Sequence, residues 1–247
     1  MKAMLLAAGC GERLRPLTCR TPKCMLKFAG KPLLEHWIDK LSAGGIRDLV
    51  INVSHLAEKV TGYFGSGERW GVRIEYAREP ALLGTAGAVR QMRPVLGDAR
   101  FLVIYADNQS DCGLREIVDF HAARRAVATM AVCRIEDPSS CGIVGLAEDG
   151  RITRFLEKPT PEQTFSHYIN AGIYVMEPDI FEHIPADGTP DFSRDVFPRM
   201  LRTEAPLYAF CYGGHVLKFD TFADWHQSEM WARQRQAASA SQSAAHS

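Results

Sequence analysis

Several short polar clusters in this 247-residue chain carry side chains that could do chemistry. The first is Gly9-Cys10-Gly11-Glu12-Arg13, with Lys23 following behind Pro22. An apolar run, residues 3–8, leads straight into it. A strand that breaks at glycines into an Arg-bearing loop lets backbone N–H groups wrap a phosphate with fixed positive charge beside them. Further on, Arg78-Glu79 opens onto the small-residue turn Leu83-Gly84-Thr85-Ala86-Gly87. Asp107 and Asn108 end the apolar run Phe101 to Tyr105, and a carboxylate at the tip of a buried strand is a natural ligand for a divalent cation. Glu157-Lys158-Pro159, Asn170 and Asp220 complete the set.

Each cluster also has a plain structural alternative. The glycines can be a tight turn, and Arg13 and Lys23 solvated surface charges. Asp107 can cap a helix, and Asp220, standing before Thr221 at a helix entrance, reads first as an N-cap. Glu157 and Lys158 can be a charge pair that protects an edge strand. What favours chemistry is their joint occurrence at the ends of successive apolar runs.

The elements that must position these residues alternate. Strands are expected at 3–8, 49–53, 72–76, 101–105 and 128–133. Helices are expected from Pro32 to the Gly44-Gly45 stop, over 57–64, after Gly84, and over 114–125. That alternation predicts an α/β fold, a doubly wound and mostly parallel sheet, whose ligands lie beyond the carboxyl ends of the strands. The second half differs. Glu148-Asp149-Gly150 marks a hairpin between 142–146 and 152–156. A strand at 168–176, helices at 178–184 and 191–202, strands at 207–212 and 215–219, and a helix from Phe222 to Arg235 follow. Residues 1–236 read as one domain with a hairpin-rich lobe, and the Ala, Ser and Gln of 237–247 as a disordered tail.

Composition narrows the function. Lys+Arg and Asp+Glu number 29 each, so the balanced charge excludes bulk attraction to nucleic acid or anionic membrane. The 7 cysteines form no CxxC pair and no metal or disulfide framework, which suits reduced thiols and a cytoplasmic protein. The first loop matches neither common phosphate template. Walker A needs Gly-Lys and then Ser or Thr after four intervening residues, and the dinucleotide fingerprint needs a third glycine where Leu14 stands.

What remains, L-A-A-G-x-G-x-R-x-x-P-L-T-x-x-x-P-K, resembles the signature of the sugar-1-phosphate nucleotidylyltransferases. Gly84-Thr85-Ala86-Gly87-Ala88, Asp107-Asn108, Glu157-Lys158-Pro159 and Asn170-Ala171-Gly172 follow in that family's order, and the likeness covers roughly residues 1–235. It implies a Rossmann-like fold and transfer of a nucleotidyl group from a nucleoside triphosphate to a sugar 1-phosphate, with Mg2+ as cofactor. Leu6, Ala8, Gly9, Gly11, Arg13, Glu79, Gly84 and Thr85 would bind the nucleotide. Asn108, Gly142, Glu157, Lys158 and Asn170 would bind the sugar phosphate. Arg13, Lys23, Asp107 and Lys158 would be catalytic, with Asp107 and Asp220 holding the metal.

The partners implied are small molecules, with a homodimer admitted and neither nucleic acid nor membrane involved. Glu79 leans toward GTP, because an acceptor-only side chain suits the two adjacent donors of guanine better than the single donor of uracil or thymine; a surface glutamate is the alternative. Asp191-Phe192-Ser193-Arg194-Asp195-Val196-Phe197-Pro198 adds to a resemblance to the mannose- and heptose-1-phosphate guanylyltransferase branches, making a GDP-sugar for surface polysaccharide. Uridylyl, thymidylyl or cytidylyl transfer, and a catalytically inactive nucleotide-sugar-binding subunit, stay as alternatives. Two departures bear on this: Ala106 stands where glycine often precedes the aspartate, and Thr221-Phe222 follows Asp220, which leaves Asp224 as a second candidate for the metal.

Overall fold

The computed structural model describes residues 1–244, with side chains through Arg235. The strands in chain order are β1 (Lys2–Leu6), β2 (Lys27–Phe28), β3 (Lys31–Pro32), β4 (Asp48–Val53), β5 (Arg73–Arg78), β6 (Phe101–Tyr105), β7 (Asn108–Ser110), β8 (Ala128–Arg134), β9 (Gly142–Leu146), β10 (Ile152–Glu157), β11 (Tyr168–Met176), β12 (Leu207–Cys211) and β13 (Val216–Lys218). The helices are α1 (Leu33–Ala43), α2 (Ala57–Phe64), α3 (Thr85–Gln91), α4 (Arg93–Leu96), α5 (Leu114–Arg124), α6 (Phe197–Arg202) and α7 (Phe222–Ala244).

A nine-stranded sheet forms the frame. β5, β4, β1 and β6 run parallel side by side. β11 then joins β6 antiparallel. β6 and β9 share one edge of β11, while β8 runs along its other edge and carries β12 parallel beyond it. The hairpin β9–β10 therefore belongs to the main sheet rather than to a lobe of its own.

Alternation along the strands explains why the sheet is covered twice. Met4, Val50 and Val103 point to one face, with Val89 of α3 and Phe197 of α6. Ala3, Leu5, Ile51 and Ile104 point to the other, with Trp37 and Ile38 of α1 and Val60 of α2. Successive side chains leave a strand on opposite sides, so a run apolar at every position is stable only between two layers.

Register then decides where the functional residues fall. Leu6 pairs with both Asn52 and Tyr105, and Val53 pairs with Arg78. The residues just beyond those pairs, Ala7, Glu79 and Ala106-Asp107, emerge together along one carboxyl edge.

Four expected elements are corrected. The first strand stops at Leu6, releasing Ala7 and Ala8 into the loop. The segment 178–184 is a 3-10 stretch, Pro178–Glu182, and 191–202 divides into a π-helical turn, Phe192–Val196, and α6. The last helix extends past Arg235 to Ala244. Side chains of the tail expected at 237–247, and residues 245–247 altogether, lie outside the described residues.

Candidate active site

The loop after β1 is fastened to itself before it meets anything else. Gly11 has φ +61, and a Cβ there would lie 2.9 Å from the Thr18 methyl and 3.1 Å from Lys23 Cβ. Only glycine fits both the left-handed backbone and that contact. Thr18 Oγ1 donates to the Gly11 carbonyl at 2.8 Å. At Gly9, by contrast, a Cβ would meet nothing within 4 Å, so the missing side chain leaves space open to the cleft.

Lys23 is buried, 5% exposed, which is rare for lysine without paired partners. Its Nζ donates to Asp107 Oδ2 at 2.8 Å and to Asp220 Oδ1 at 2.6 Å. Arg13 reaches the other Asp220 oxygen at 3.2 Å. Burial pulls the Lys23 pKa down, but the facing carboxylates outweigh it and hold the ammonium above its ordinary value. Burial pushes the Asp220 carboxyl up, and Lys23 with Arg13 outweighs that, holding it below the usual carboxylate value.

Asp220 reaches this point through a ribbon that hydropathy did not reveal. β7 and β13 pair antiparallel with Lys218 opposite Asn108, so the residues just outside that pair, Asp107 and Phe219-Asp220, are brought side by side. Asp224 is occupied elsewhere. Its Oδ2 accepts from the Thr221 N–H at 2.9 Å and from Thr221 Oγ1 at 2.8 Å, while Thr221 Oγ1 accepts from the Asp224 N–H at 3.1 Å. This reciprocal pair closes the first turn of α7. The capping role that sequence gives first to Asp220 therefore falls to Thr221 and Asp224.

Asp107 and Asp220 are the residues that could hold a divalent cation. Mg2+ commonly takes one or two protein carboxylates plus substrate phosphates, and in this structure the Lys23 ammonium lies between these two. Among the described residues there is no larger cluster of acidic, His or Cys ligands.

From this centre one recess runs toward β1, β4 and β5. It is lined by Leu6, Ala8, Gly9, Glu79, Gly84 and Thr85, all named from sequence, and by Asn52, which was not. Gly84 has φ +76, and a Cβ there would lie 2.5 Å from the carbonyl oxygens of both Thr189 and Pro190. Ala86 and Gly87 donate their N–H groups to that Pro190 carbonyl, and Thr85 Oγ1 donates to Asp191 Oδ2 at 2.8 Å. The turn is thus sewn to the Asp191 segment. Glu79, 4% exposed, is not a surface residue.

The opposite recess lies beside β9, β10 and β11 and collects Arg13, Asn108, Gly142, Glu157, Lys158 and Asn170. A Cβ on Gly142 would lie 2.7 Å from Glu157 Oε2, so its absence makes room for that carboxylate. Burial raises the Glu157 carboxyl above its ordinary value, with Lys158 pulling the other way. Asn170 is partly structural: its Nδ2 donates to the Tyr174 hydroxyl at 2.7 Å and its Oδ1 accepts from the Gly172 N–H at 3.0 Å. Asn108 Nδ2 donates to the Ala171 carbonyl at 2.9 Å. Asn108 Oδ1 and the Tyr105 hydroxyl, both buried, have no hydrogen-bond partner among the described residues. Tyr105 and Lys218 also line this recess and were missed. A tyrosine ending an otherwise aliphatic strand was the available signal for Tyr105, and a polar residue near the end of apolar β4 for Asn52.

The two recesses share Asp107 and meet at a pair of carboxylates and a buried lysine, an arrangement that could take two ligands end to end. The family model described as "Nucleotidyl transferase" matches residues 2–231. The chain belongs to this family. It is 37% identical over 223 residues to a UTP–glucose-1-phosphate uridylyltransferase of Synechocystis, covering 85% of this chain and 57% of that protein. It is 36% identical over 199 residues to a mannose-1-phosphate guanylyltransferase of Mycobacterium tuberculosis, covering 81% and 55%. The chain thus spans a little over half the length of these relatives. Among solved structures, a Bacillus anthracis protein assigned as a glucose-1-phosphate thymidylyltransferase, in complex with sucrose, superposes with a TM-score of 0.86 at 25% identity, covering 94% of this chain and 95% of that one. HddC from Yersinia pseudotuberculosis, complexed with GMP-PN, gives a TM-score of 0.79 at 20% identity over 93% and 98% and shares the fold. Among the described residues no helix is long and apolar enough to cross a membrane.

Proposed function

We propose that this chain joins a nucleoside triphosphate to a sugar 1-phosphate, releasing pyrophosphate and forming a nucleoside-diphosphate sugar. The observation that carries the reading is Lys23 held between Asp107 and Asp220 where the two recesses meet. A sugar-phosphate oxygen attacks the α-phosphorus; the P–O bond to pyrophosphate breaks and its electron pair leaves with the pyrophosphate. The attacking phosphate is already mostly ionised near neutrality, with a second pKa of about 6, so no protein base is required.

The barrier is repulsion between anions and charge growing on the leaving group. The chain meets it with position and positive charge. Backbone N–H groups of the Gly9–Gly11 loop and Arg13 hold the triphosphate. Lys23 lies at the reacting phosphates, and Lys158 with Glu157 and Asn170 orients the sugar phosphate. Mg2+ bound by Asp107 and Asp220 would neutralise the phosphates between the two substrates.

GTP is the favoured nucleotide, because Glu79 presents an acceptor-only group to the recess where the base would lie. Mannose- or heptose-1-phosphate is the favoured partner, for a GDP-sugar used in surface polysaccharide. The inactive-subunit alternative rests on the unusual residues after Asp220, and it predicts nucleotide-sugar binding without turnover. Pyrophosphate release measured across five nucleotides and a panel of sugar 1-phosphates tests the reading. Turnover with GTP foremost is expected. Activity with another base foremost would overturn the guanine assignment, and no turnover with any pair would overturn the reaction.

A further inference from the structure

Asn52 is 4% exposed and sits one residue before the end of β4, with no part in the scheme above. Its Oδ1 accepts from the Ala7 N–H at 2.6 Å, at the start of the phosphate loop. Its Nδ2 donates to Glu79 Oε1 at 2.8 Å. Glu79 Oε2 in turn accepts from the Leu83 N–H at 3.0 Å, at the start of the Gly84 turn. A continuous polar chain therefore crosses the carboxyl ends of three neighbouring strands and ties together the two loops that frame the recess.

The direction of that chain is fixed by its ends. Turning the Asn52 amide over would set its NH2 against the Ala7 N–H and its oxygen against the Glu79 carboxylate, pairing donor with donor and acceptor with acceptor. With the amide as placed, each Glu79 oxygen accepts one protein donor and keeps a second acceptor position. Buried side chains with this many fixed partners have one orientation available, so the Glu79 carboxylate edge is held still against the recess.

We propose that Asn52 is the positioning residue for base selection: it fixes the carboxylate of Glu79 and couples the base end of the recess to the phosphate loop at Ala7. The inference rests on the reading that the base lies beside Glu79. A carboxylate held in place rewards a base carrying two adjacent donors; the same carboxylate free to rotate would reach a single donor equally well and would lose the distinction.

The test is the isosteric change Asn52→Asp, alone and together with Glu79→Gln. The single change keeps an acceptor for Ala7 but faces one carboxylate with another. The ratio of kcat/KM for GTP over UTP and over dTTP should fall by about tenfold or more, the scale of one hydrogen bond to a charged group. The double change rebuilds every link with one donor reversed, since the introduced carboxylate accepts from the introduced amide and the amide oxygen accepts from Leu83. It should restore the thermal midpoint without restoring the base ratio.

A single variant that is folded and keeps the wild-type ratio within about twofold would overturn the proposal. If the single variant does not fold, Asn52→Ala decides, since it removes the Glu79 donor without adding a charge, and a wild-type ratio in it would overturn the proposal equally. A double variant that does not fold would do the same, because it retains the whole chain of hydrogen bonds. The guanine reading fails separately. A wild-type enzyme that prefers another base, with that preference erased by Asn52→Asp, would end the guanine assignment and sustain the role of Asn52. A wild-type enzyme with no base preference would end both.

Discussion

The recess beside β1, β4 and β5 and the recess beside β9, β10 and β11 share Asp107, yet the chain builds them from different material. The first is lined by loop backbone and small residues, among them Ala8, Gly9, Gly84 and Thr85, and each oxygen of its Glu79 carboxylate is held by one protein donor. The second presents Arg13, Glu157, Lys158 and Lys218. Strand direction accounts for the difference. Parallel strands bring several chain ends to one edge, so loops and N–H groups converge there. Antiparallel strands pass through the region and contribute side chains instead. The lesson is that one recess is braced before a ligand arrives, while the other holds charged groups that a ligand would complete.

The strongest way to break this division is at the junction. Lys23→Met should cut the rate of pyrophosphate release by about 10²- to 10³-fold, the range for removing one preorganised charge from a transition state. It should act whichever substrate is limiting; near-wild-type rates would place Lys23 outside the reacting groups. Gly84→Ala comes next and strikes the braced recess alone. With φ +76 and a Cβ 2.5 Å from two carbonyl oxygens, it should cost about 1–3 kcal/mol in denaturant unfolding and raise KM for the nucleotide. An unchanged nucleotide KM would show that the turn is not a binding element.

Lys158→Gln probes the charged recess. It should raise KM for the sugar 1-phosphate about tenfold, as loss of one charge-assisted hydrogen bond would, and leave nucleotide KM near its wild-type value. Equal effects on both would erase the comparison. The smallest effects separate the two neighbouring aspartates. Asp224→Ala should lower stability by about 0.5–2 kcal/mol, the loss of a cap, with metal titration of activity unchanged.

Asp220 should instead show in acid. Its folded pKa lies below the ordinary 3.8, so its stabilising contribution is present above that value and is lost as pH falls through the folded one. Thermal midpoints should therefore decline less steeply below about pH 4 in Asp220→Asn than in the wild type. Parallel declines would contradict the pairing with Lys23.

The strand–helix alternation of the first half and the hairpin were legible in the chain because they rest on local apolar runs and turn residues. So was the phosphate loop, whose glycine spacing and basic residues lie within a short stretch. The boundaries that moved did so for different reasons: Ala7 leaves β1 to donate to Asn52, 45 residues away, whereas Asp191 accepts from two successive N–H groups at the start of the π-helical turn, a local contact.

What the sequence by itself determined is which residues stand at strand ends, since a two-residue alternation and an abrupt polar ending report burial directly. Only the tertiary structure decided which of them meet. Asp220 joins Lys23, and not Asp224, because β13 pairs with β7 in one particular register, and that choice is made between segments more than a hundred residues apart. Asn52 is a single asparagine in an apolar strand until the parallel pairing of β1, β4 and β5 sets Ala7 on one side of it and Glu79 on the other. Register of that kind depends on packing across the whole sheet, which no stretch of the chain contains alone.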